Sequence, residues 1–184
     1  MRTVQLPKSL HELFGKESTL AELAMTFAFS IAGTAALFAS ARAEWSSLPV
    51  WKTALLCLLT LDVLAGFLAN LTLSTNNYYR DNPTLRLVFI AVHVQPIFFS
   101  LLIGGHFIIS LALWIYTVIA AFIVNAAQKH PAQKVLAAGC VTLGLVGLLL
   151  NSNGLPLLLL IPLVFYHLKV VYSFSVDQYA PREM

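Results

Sequence analysis

Residues 107–128 read FIISLALWIYTVIAAFIVNAAQ, twenty-two positions without one Asp, Glu, Lys, Arg or His. About 20 apolar residues in a helix cross a hydrocarbon layer ~30 Å thick. In lipid a helix satisfies every backbone N–H and C=O within its own segment. The stretch therefore reads as a membrane-spanning helix. It stops where Lys129, His130 and Pro131 restore charge and introduce a helix breaker.

Working outward, Gly104, Gly105 and His106 allow a tight turn back into a span over about 84–103. A fifth span follows at about 133–150, the turn signal Asn151-Ser152-Asn153-Gly154 comes next, and a sixth covers about 155–176. Towards the N-terminus two more spans fall at about 20–41 and 50–73. Thr19 and Glu22 have capping-box spacing at the head of the first, and Arg42 with Glu44 closes it. Residues 7–18, PKSLHELFGKES, carry a second such spacing in Ser9 and Glu12, with Leu10, Leu13 and Phe14 on one face and Gly15 as a stop. That pattern predicts a short helix lying on the membrane surface. The expected fold is all-α: six transmembrane helices in a bundle, one domain over 1–184, with an N-terminal interfacial helix.

Composition agrees. Of 184 residues, 59% are hydrophobic and 10% charged, whereas a soluble domain carries about a quarter charged residues. The net charge of +3 resides mainly beside the spans, where basic residues set topology and meet anionic headgroups. No aromatic-basic platform or zinc-finger spacing is present, which excludes nucleic acid as a partner. Cys57 and Cys140 lie singly in apolar runs without CxxC spacing and read as structural. Arg2, Lys8, Glu12 and Lys16 interrupt the first twenty residues, so no cleaved signal peptide is expected.

Orientation follows from counting Lys and Arg. With the N-terminus inside, Arg2, Lys8, Lys16, Arg80, Arg86, Lys129, Lys134, Lys169 and Arg182 fall on the cytoplasmic side, against Arg42 and Lys52 outside. Both termini are expected in the cytoplasm. The short loops favour a plasma or inner membrane, with an endoplasmic-reticulum-type membrane as the alternative.

Ionisable side chains inside a membrane are costly and point to function. Asp62, His93 and His167 lie on separate spans, about 16, 13 and 13 Å from the cytoplasmic ends at ~1.5 Å per residue. Asp62, Gly66, Asn70 and Ser74 recur every four residues, and Arg86, His93 and Ser100 every seven, giving two polar stripes on consecutive helices. Asn70 and Ser74 are expected to meet Arg86, with Asp62 meeting His93 deeper. Pro96 should kink its helix beside His93, with Gln95 close by. Tyr166 belongs to the same region of the sixth span. Lys169 is expected to reach the surface by extending its stem. The segment 74–83 reads as a polar, aromatic interfacial loop.

These residues support an intramembrane enzyme for a lipid-like or hydrophobic substrate, with Asp62, His93 and His167 catalytic. The same three are candidate ligands of a divalent metal such as zinc. Asn70, Ser74, Arg86, Gln95 and Tyr166 would hold the substrate. The carboxylate and imidazoles resemble, in residue type, those of membrane hydrolases of the alkaline ceramidase and adiponectin-receptor kind. Those have seven spans and a closely spaced histidine pair in the last; here there are six, and His167 stands alone. One alternative is a transporter or ligand-binding protein using Asp62 and His93 as a proton relay. Another is interhelical packing in an accessory subunit. A haem between His93 and His167 is less favoured, since no second histidine pair exists at another depth. A homodimer is a further option, with Gly139, Gly144 and Gly147 as a close-packing surface.

Overall fold

The computed structural model describes residues 3–181. Arg2 and Arg182, counted above for orientation, lie outside the described residues. The chain is helical throughout except for a small ribbon. Six helices are long and apolar enough to span a membrane: Leu20–Ser40, Val50–Ala69, Pro83–Ile103, Phe107–Ala126, Gln133–Leu150 and Leu157–Phe174.

In chain order, strand β1 (Thr3–Gln5) pairs antiparallel with β2 (Glu17–Thr19). Between them lie a 3₁₀ turn at Lys8–Leu10 and α1 (His11–Phe14). The interfacial helix expected over 7–18 thus shrinks to these short turns. Gly15 ends α1 at φ 75°, with its backbone against Ser74. Ser9 does not cap; α1 has no side-chain cap. The Thr19–Glu22 capping box does form at the head of α2 (Leu20–Ser40).

α2 presents Thr26, Ser30, Thr34 and Leu37 to its neighbour α4 (Val50–Ala69), at intervals of three or four residues. Small side chains in such a row let two membrane helices approach closely. The short α3 (Arg42–Trp45) carries Glu44, whose carboxylate accepts the N–H groups of Leu157 and Leu158 at 2.8 and 2.9 Å. These are free donors at the first turn of α10 (Leu157–His167), where a negative charge is favoured.

The second span is shorter than expected. It stops at Ala69, and Thr72 caps a separate helix, α5 (Leu73–Asp81), where the sequence reads as loop. The third span is broken in two, α6 (Pro83–Val92) and α7 (Gln95–Ile103), joined through His93 and Val94. Pro96 does more than kink the helix. α8 (Phe107–Ala126) and α9 (Gln133–Leu150) follow. α10 runs on into a π-helical turn, Leu168–Phe174.

The sixth span is the centre of the bundle. Its residues are 61% buried, against 22% in the first, and it packs on α2, α4, α7, α8 and α9. α1, α5 and the segment after the sixth span meet at one end of the bundle: Tyr79 donates to the Glu12 carbonyl at 3.0 Å and Tyr179 to that of Leu71 at 2.9 Å.

Candidate functional site

The centre of the sixth span divides the predicted site. One of its faces carries Tyr166, Lys169 and Ser173, spaced three and four residues apart, and turns to the second and third spans. Tyr166 donates to the His93 carbonyl at 2.8 Å, Lys169 to Asp62, and Ser173 to the Phe67 carbonyl at 2.5 Å. His167 sits about 100° from Tyr166 and about 200° from Lys169 around the helix, so it faces away from them.

Lys169 does not extend to the surface as expected. It is buried, and its Nζ lies 3.0 Å from Asp62 Oδ2 and 3.4 Å from the Asp62 carbonyl. The reason is local. Gly66, one turn beyond Asp62, leaves the lane that the lysine stem fills; a Cβ there would run into Lys169 Cε. Gln95 donates to the same Asp62 oxygen at 3.3 Å, so the break in the third span brings its amide to the carboxylate.

His93 stands at that break. Its ring lies against Phe89, with centroids 3.6 Å apart, and its Nδ1 bonds to the Phe89 carbonyl. A carbonyl only accepts, so Nδ1 carries the proton and Nε2 keeps its lone pair. Asp62, His93 and Lys169 together line the inner end of a groove of about 400 Å³. The groove continues past Gly66, Ala69 and Asn70 to Leu13 and Phe14 in α1. Apart from these polar groups its walls are mainly apolar, among them Phe27, Leu58 and Leu61.

His167 belongs elsewhere. Its Nδ1 pairs with Thr117 Oγ1 at 2.8 Å, and its ring lies beside Tyr116 and against Gly144. Among the described residues no three His, Cys, Asp or Glu side chains group as a metal-ligand set. The donor set Asp62, His93 and His167 expected for zinc is therefore not assembled.

The expected substrate residues separate too. Gln95 is at Asp62, and Asn70 lines the groove. Tyr166 is fully buried and spent on the His93 carbonyl. Ser74 accepts the Glu17 N–H at 3.3 Å, beside the ribbon. Arg86 is buried behind Asn70, where both line a small internal cavity, as their stripes suggest.

At the same end Arg80 grips Asp177 through Nη2 at 2.6 Å and Nε at 2.9 Å. That grip raises the Arg80 pKa. Burial pushes the Asp177 carboxyl up, but the Arg80 hydrogen bond and charge, the Tyr179 N–H and the Arg86 charge outweigh it and hold its pKa below the usual value. Burial, reinforced by the Glu12 charge, raises the Tyr79 phenol.

Comparison with known protein families, curated proteins and solved structures gives no match for this chain.

Proposed function

We propose that the chain is an intramembrane enzyme that takes a lipid-like substrate sideways from the bilayer and acts on its polar group by acid–base chemistry. It would do so with both termini in the cytoplasm, in a plasma or inner membrane. The observation that carries this reading is the apolar groove whose inner end holds a carboxylate, an ammonium and an imidazole within membrane spans. A chain lying along Phe27, Leu58 and Leu61 would bring its polar end to them.

His93 suits the role of general base, because its Nδ1–H is committed to the Phe89 carbonyl and Nε2 is left to accept a proton. The Lys169 ammonium, held by Asp62, would offset negative charge developing on the substrate. Asn70 is placed to meet a headgroup nearer the membrane surface.

A second reading, binding or carriage without turnover, is favoured by one observation: no hydrogen bond joins Asp62 to His93, so the base has no carboxylate orienting it. One experiment addresses both. The protein is reconstituted in phosphatidylethanolamine–phosphatidylglycerol vesicles with a diazirine-bearing fatty acid, crosslinks are mapped, and the lipids are followed by mass spectrometry. Labelling at Leu58, Leu61 or Ala65, with lipid turnover that disappears in His93→Gln, is the expected result. Labelling without turnover selects the second reading. Labelling that avoids the groove removes both.

A further inference from the structure

Arg86 is 2% exposed, yet only part of its guanidinium is used. Nη2 donates to the Phe174 carbonyl at 2.8 Å, and the group lies 5.6 Å from the centre of the Phe174 ring. Nε and Nη1 have no partner, and neither does Nδ2 of Asn70. Arg86 and Asn70 line one internal cavity with Thr75, Asn76, Tyr79 and Phe174, all of them buried. Its volume is about 10 Å³, room for one water-sized occupant.

Buried donors without acceptors are rare, and a buried charge without a counter-charge is rarer. Among the described residues the acid whose charge reaches Arg86 is Asp177, and that carboxylate is already gripped by Arg80 at two points. Two guanidiniums thus share one carboxylate, which leaves a surplus positive charge beside the cavity. Every unpartnered group there is a donor nitrogen: Nε and Nη1 of Arg86 and Nδ2 of Asn70. A water would accept from two of them but bring its own hydrogens and no charge. A monatomic anion accepts from all three and neutralises the surplus.

We propose that this cavity is a binding site for a single halide, chloride under ordinary conditions, held by Arg86 Nε and Nη1 and Asn70 Nδ2. The bound ion would tie together the end of α4, α5, α6 and the end of the sixth span. It is separated from the groove by Asn70, which lines both. His93 does not line the cavity, so chloride binding can be read without any turnover at His93.

The test is the melting temperature of the full-length protein in detergent, with chloride replacing gluconate at constant ionic strength. It is read alongside anomalous diffraction from crystals grown in bromide. The wild-type melting temperature should rise with chloride and saturate, since an ion bound only by the folded state stabilises it. An anomalous peak should appear between Arg86 and Asn70. Arg86→Met should abolish the chloride dependence. Should that variant not fold, Asp177→Asn serves in its place: with the competing carboxylate neutral, half-saturation should move to a several-fold lower chloride concentration. A melting temperature indifferent to chloride, or cavity density without anomalous signal, identifies a water and overturns the proposal.

Discussion

Two ion pairs fasten the last span and its tail to the rest of the molecule, and they are built in opposite senses. In Lys169–Asp62 the cation side chain is 3% exposed and the carboxylate 42%, because Asp62 opens on the groove. In Arg80–Asp177 the carboxylate is 8% exposed and the guanidinium 38%. Their contact distances are similar, so distance cannot rank them. What ranks them is the partner left behind when the other is removed, since an orphaned buried charge costs far more than an orphaned wet one.

The largest effect should therefore come from Asp62→Ala. It strands the Lys169 ammonium, and a loss of about 3–5 kcal/mol is expected in unfolding titrations of the reconstituted protein. A loss under ~1 kcal/mol would mean that the groove hydrates the lysine, and the contrast between the pairs would fall. Arg80→Met comes next, at about 2 kcal/mol, the range for losing charged hydrogen bonds. It removes two charged hydrogen bonds from Asp177, which keeps others, among them the Tyr179 N–H at 3.3 Å. Lys169→Met should cost less, about 1 kcal/mol, because Asp62 keeps the Gln95 amide and the groove. In the vesicle assay it should nevertheless lose turnover, which separates the role of the pair in function from its role in stability.

How far the sequence revealed this depends on what each signal measures. Span length and hydropathy are summed over some twenty residues, so six spans were legible. Asp62 and His93 do line one groove, but the stripes that suggested it do not run through: the second span stops at Ala69 and the third breaks at His93, so Ser74 and Ser100 leave them. Lys169 and His167 were misplaced because they were judged by depth alone. Depth puts them in the same layer, but phase puts Tyr166, Lys169 and Ser173 on one face and His167 on another. That phase could have been read from the residues. α5 reads as a loop in the sequence because nine residues of low hydropathy give little pattern; its buried face is only Thr75, Asn76 and Tyr79. Strands of three residues, as in β1 and β2, carry no readable alternation. The Gly66 lane for the lysine stem is a tertiary contact between spans distant in sequence, and nothing local announces it.

The smallest effect should be that of Asp177→Asn, and its pH dependence is the sharper test. The variant leaves Arg80 beside water, where screening reduces the cost to about 1 kcal/mol or less, when it is measured in chloride, which balances the buried Arg86 at the adjoining cavity. In the folded protein the Asp177 pKa is depressed below the usual carboxylate value. A depressed carboxyl stabilises the fold at pH values above its unfolded pKa, and loses that contribution as pH falls through its folded one. The stability gap between wild type and Asp177→Asn should thus stay constant from neutral pH down to about 4, then close on further acidification. A gap that widened as the pH fell towards that value, from above, would mean that burial, rather than Arg80, governs this carboxyl. The two pairs would then no longer be inverses, because Asp177 would be a buried acid tolerated by its site instead of an anion held by its partner.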